Sequence, residues 1–116
     1  MSERLYDLAT IKDIGGNDPA FMKEMVEMFA TITPDTLIDI KQAIQSENWQ
    51  RVGSISHSLK ANIISYGISG MKEIILQLES CGSNEHPRAF ALDNLTLLED
   101  VCSRAIEQML EDYMLK

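Results

Sequence analysis

The 116-residue sequence is poor in the features that most readily reveal a protein's chemistry. It has two cysteines, Cys81 and Cys102, far apart and set in apolar stretches. That excludes a disulfide framework and points to buried, reduced thiols. Basic residues are scarce, ten Lys and Arg against eighteen Asp and Glu, and they are scattered. A nucleic-acid or anionic-membrane partner needs clustered cations, so the net charge of −8 argues against both. No apolar run approaches the ~20 residues that cross a bilayer. The opening Met-Ser-Glu-Arg-Leu-Tyr-Asp has no signal-peptide core, so the cytoplasm is the expected location. There is no G-x-x-x-x-G-K-[ST] loop for ATP and no G-x-S-x-G nucleophile elbow. Glu-x-x-His pairs for a di-iron bundle are also missing: Ser54 precedes His57 by three residues, and Ser83 precedes His86. No metal or cofactor is expected, and His86 reads as an exposed loop residue.

What is present is helical periodicity, with Pro and Gly confined to junctions and nothing that reads as a strand pair. A short first helix carrying Leu5, Leu8 and Ile11 stops at Gly15-Gly16. Asp18-Pro19 then forms a cap and first position for a helix with Phe21, Met25, Met28, Phe29 and Ile32 inward. Thr33-Pro34 repeats the cap-proline signal before Leu37, Ile40, Ala43 and Ile44, leaving one kinked helix or two. Further helices run from about Asn48 to Ser65, from a Ser69 cap to Cys81, and from Pro87 along the seam Leu95, Leu98, Cys102, Ala105, Met109 and Tyr113. The expected fold is all-α: one domain over residues 1–116, an antiparallel four-helix bundle with an additional short N-terminal helix or helices. Met1 and the complete set of helices favour a free-standing protein.

One helix carries more than packing. Trp49, Val52, Ile55, Leu59, Ile63 and Tyr66 form its inward seam. At about 100° per residue, His57 lies about 150° from the centre of that seam and faces solvent, while Lys60 lies about 90° away on the shoulder. Gly53, Ser54, Ala61 and Gly67 are small and clear space near the histidine, and Ile64 is apolar on the same exposed side. Ser54, Ser56 and Ser58 have no visible orienting group that would make one of them a nucleophile.

Ser56-His57-Ser58-Leu59-Lys60-Ala61, with Gly67 ten residues after the histidine, resembles the signature of histidine-containing phosphotransfer domains. The Gly15-Gly16-Asn17-Asp18, Met28-Phe29 and Leu78-Glu79 stretches also resemble residues such domains carry, so the likeness covers nearly the whole chain. Ala61 departs from the glycine that most often follows the lysine. The resemblance implies a phosphoryl carrier without its own ATP-dependent kinase activity. His57 would accept the group at Nε2 from the aspartyl phosphate of a response-regulator receiver domain and pass it to another receiver. Free imidazole suits this, because an ordinary pKa near ~6.5 leaves it largely neutral at cellular pH. Lys60 would meet the phosphoryl oxygens, and Glu79 would accept a hydrogen bond from Nδ1–H. Receivers, with a hybrid histidine kinase as a further partner, would dock on Gln50, Gly53, Ser54, Ala61, Ile64 and Gly67. Any divalent metal would belong to the receiver, and the chain would be a monomer. The competing class is a non-catalytic helical-bundle adaptor in which His57 is incidental.

Overall fold

The computed structural model describes residues 3–84 and 86–114. They form five helices and, among the described residues, no strand: α1 (Ala9–Gly15), α2 (Pro19–Gln45), α3 (Trp49–Ser65), α4 (Lys72–Ser80) and α5 (Arg88–Tyr113). The all-α expectation is met. α2 packs on α3 and α5, α3 on α4, and α4 on α5, so these four surround one core, with α1 laid against α2. Val26, Ile40, Ile44, Val52, Ile75, Leu95, Leu98 and Met109 have no exposed surface. Burial of each such side chain contributes about 1.5–3 kcal/mol. No helix among the described residues is long and apolar enough to cross a membrane.

Local signals explain most of the boundaries. The Asp18 carboxylate accepts the Ala20 N–H at 3.1 Å, and Pro19 takes the first helical position of α2. The Asn48 side chain accepts the Arg51 N–H at 3.2 Å to open α3. Pro34 does not start a new helix: α2 is one 27-residue helix running through it. The proline removes one ladder hydrogen bond at a cost of about 3 kcal/mol. Burial of Phe29, Thr33, Leu37, Ile40 and Ile44 on both sides of Pro34 offsets it.

Other expectations need correction. Met28 and Ile32 are 45% and 50% exposed, because the buried stripe of α2 runs Met22, Val26, Phe29, Thr33 and Leu37 and leaves them on the adjacent face. Ser69 does not cap α4, which begins after Met71 with no side-chain cap. The Ser69 N–H instead donates to the Leu5 carbonyl at 2.9 Å. Leu5 and Leu8 precede α1 rather than lying in it. They belong to a non-helical strap across the end of the bundle, where Leu5 N–H donates to Gln108 Oε1 at 2.7 Å and Asp7 N–H to the Tyr66 carbonyl at 3.1 Å. Tyr113 closes the α5 seam only half-buried. His86 is half-buried, its ring stacked 4.7 Å from that of Phe90. Both cysteines are free and buried, and burial pushes the Cys102 thiol up to about 12.

Candidate functional site

The seam of α3 buries Val52, Leu59, Ile63 and Tyr66, which turns His57 outward with 70% of its side chain exposed. α4 runs along one shoulder of α3 and brings Glu79 to it. His57 Nδ1 and Glu79 Oε2 are hydrogen-bonded. Lys60 Nζ donates to the same carboxylate, at 2.9 Å to Oε1 and 3.1 Å to Oε2. The Lys60 hydrogen bond first, and then that of His57, hold the Glu79 carboxyl below its ordinary value, against a smaller opposing effect of burial. Glu79 is therefore ionised at neutral pH and can only accept. An ionised acceptor requires a proton on Nδ1, so in the neutral ring Nε2 is the nitrogen with the free lone pair. Because the folded pKa is depressed, the favourable contribution is present above the ordinary carboxyl value of ~4.3. It is lost as pH falls through the lower folded value, so the triad is intact across the neutral range.

Gly53 explains why Glu79 reaches so far. A Cβ at this position would stand 2.6 Å from Gly82 Cα and 3.0 Å from the Glu79 carbonyl oxygen. Two glycines thus let the backbones of α3 and the end of α4 touch, one turn before His57 and at the root of Glu79. This corrects the reading of Gly53 as space for a partner: it is buried between helices. Gly53→Val is expected to lower unfolding free energy by about 3 kcal/mol, since the obstacle is backbone that cannot swing away. A urea midpoint within error of wild type would refute that assignment.

Gly67 also leaves the docking set. It ends α3 at φ +57, and a Cβ there would meet the Asp7 carbonyl oxygen at 2.6 Å. It lies ten residues after His57 and beyond the last residue of α3, so its smallness serves the N-terminal strap. Gln50, Ser54 and Ala61 are exposed, and Ile64 is 49% exposed. At −7, −3, +4 and +7 from His57 they share its face. The Ser58 hydroxyl donates to the Ser54 carbonyl at 3.4 Å, and Ser56 is buried without a hydrogen-bond partner. Neither arrangement couples a serine to the imidazole. Among the described residues, no group of three or more His, Cys, Asp or Glu side chains is placed to hold a metal ion.

Two features of this face escaped the sequence reading. Ile14, Met28 and Ile32 are 74%, 45% and 50% exposed. With Asn62 and Ser65 they line a shallow groove of about 210 Å³ that borders the C-terminal half of α3. Met28 and Ile32, four residues apart and out of phase with the buried stripe of α2, were the available signal. The second feature is charge. α3 contains Arg51 and Lys60 and no Asp or Glu, in a chain where acidic residues outnumber basic ones eighteen to ten. Among the described helices α3 alone carries no Asp or Glu, and the carboxylate that meets His57, Glu79 of α4, is already paired with Lys60.

No family model, curated protein or solved structure matches this chain.

Proposed function

We propose that the chain is a histidine-containing phosphotransfer domain, a carrier that takes a phosphoryl group from a receiver-domain aspartate on His57 and gives it to another receiver. The observation that supports this most is the hydrogen bond between His57 Nδ1 and Glu79 on a side chain that is 70% exposed; donation from Nδ1–H leaves Nε2 as the free nucleophile. In the proposed step the Nε2 lone pair attacks phosphorus while the bond from phosphorus to the aspartyl oxygen breaks. The aspartate leaves as a carboxylate, and the imidazole proton stays on Nδ1 against Glu79. The reverse step returns the group to a second aspartate, so no cofactor is consumed. Such transfer rests on positioning and charge stabilisation, which suits a site with one nucleophile, one cation and one orienting carboxylate. Lys60 is near enough to exchange part of its contact with Glu79 for the incoming phosphoryl oxygens. In this reading the chain acts in the cytoplasm as a monomer. Its partners are response-regulator receivers, with a hybrid histidine kinase as a further one, and they meet Gln50, Ser54, Ala61 and Ile64 together with the apolar rim of α1 and α2.

The test is to mix the chain with receiver domains carrying a radiolabelled aspartyl phosphate. The expected result is label on this chain that is labile to acid and stable to base, as phosphohistidine is. Acid-stable label would place the group on a hydroxyl, and no label from any receiver would favour an adaptor bundle; either outcome ends the proposal.

A further inference from the structure

The side of the bundle made by α2 and α5 holds a second surface that contains no residue of α3 or α4. Pro34, Leu37 and Ile38 of α2 and Cys102, Ser103 and Ile106 of α5 line a groove of about 370 Å³. Its floor is sealed, with Cys102 fully buried and Leu37 6% exposed, whereas Ile38 stands 52% exposed on its wall. Both banks are acidic. Glu99 and Glu107 line the α5 side, and Asp35 and Asp39 are exposed beside Ile38 on α2. The nearby bases are already engaged, Lys41 with Glu99 at 3.6 Å and Arg104 with Asp100 at 2.8 Å. Asp35, Asp39 and Glu107 have no basic partner among the described residues.

We infer that this groove is a docking site for a cationic amphipathic helix of another protein, with apolar residues at i, i+3 or i+4 and i+7 and Lys or Arg on both flanks. The apolar floor accounts for the stripe, and Asp35, Asp39 and Glu107, the carboxylates of the banks without a basic partner among the described residues, account for the flanks. A second copy of this chain is a poor occupant. A two-fold contact through the groove would set the same acidic banks against each other. The inference does not depend on His57 chemistry. A helix seated between α2 and α5 leaves α3 uncovered, so one partner could be held while another meets His57.

The experiment titrates the isotopically labelled full chain with a synthetic helical peptide carrying a leucine stripe and lysine flanks. A twin peptide carries glutamate in place of lysine. The lysine peptide is expected to move the amide signals of Leu37, Ile38, Ser103 and Ile106 while leaving those of α3 in place. Ile38→Gln, an exposed change that leaves the core alone, is expected to weaken binding about tenfold by removing one apolar anchor. The triple change Asp35→Asn, Asp39→Asn and Glu107→Gln is expected to weaken it to a similar degree and to flatten its salt dependence. Equal binding of the glutamate twin, signal changes outside the groove, an Ile38→Gln variant that binds like wild type, or no binding of either peptide would each overturn the inference. None of these readouts involves phosphoryl transfer, so this failure and failure of the carrier reading are separable.

Discussion

Phosphoryl uptake by His57→Gln is expected to fall to background, with the unfolding midpoint and helical content unchanged. The structural half of this expectation follows from exposure. The imidazole is 70% exposed and its polar partner is Glu79, which keeps both contacts to Lys60 when the ring is removed. Surface changes of this kind ordinarily shift stability by less than about 0.5 kcal/mol. The chemical half follows from the absence of a substitute. An amide nitrogen has its lone pair delocalised into the carbonyl and does not attack phosphorus. Ser54 and Ser58 lie on the same exposed side, but no base is positioned to activate either of them. Labelling of the variant at the wild-type rate would remove His57 from the reaction. Labelling lost together with the helical signal would instead show that the ring supports the fold, contrary to its exposure.

How far the site was legible depends on whether the signal was local. Asp18-Pro19 and Asn48 are caps whose geometry involves only the next few residues, and the helices they open begin where the sequence places them. The outward angle of His57 is equally local, since it follows from the spacing of the seam. Pro34 was not decidable, because whether a helix survives a proline depends on the packing of its two sides against other helices. Gly53 shows the same limit more sharply. A glycine within a helix signals close approach by something, without saying whether that is a partner or a neighbouring helix. By angle, Gly53 lies about 110° from the seam centre and Lys60 about 90°, shoulder positions whose exposure depends on where the next helix runs. α4 covers that shoulder, so Gly53 is buried and Lys60 meets Glu79, while Ser54 and Ala61, about 150° and about 170° from the seam centre, are exposed. The pairing of Glu79 with both His57 and Lys60 joins residues nineteen and twenty-two positions apart. The His57 half of it was available to the sequence only through family resemblance, and the Lys60 half was not foreseen.

The shared carboxylate leads to the second large effect. Glu79→Ala is expected to slow phosphoryl transfer about a hundredfold, in keeping with what a misplacement of about 1 Å costs in an oriented reaction. Two losses combine in that variant. The imidazole loses the acceptor that fixes its proton on Nδ1, so part of the population carries the proton on Nε2 and has no lone pair to offer. Lys60 loses the anchor that holds its ammonium beside the ring and samples other rotamers. Glu79→Gln separates these effects. Its amide oxygen can still accept from Nδ1–H, but it has no charge for Lys60 and its NH₂ group offers the lysine no acceptor. A loss of about tenfold or less is therefore expected, with orientation largely kept and the electrostatic link broken. Nitrogen NMR of labelled histidine provides the readout that a merely structural role would not move. The Nδ1–H tautomer should dominate in wild type and Glu79→Gln and be depleted in Glu79→Ala. If the alanine variant transfers at the wild-type rate with an unchanged tautomer, Glu79 is only a surface ion-pair partner of Lys60, and the positioning of Nε2 must come from the helix alone.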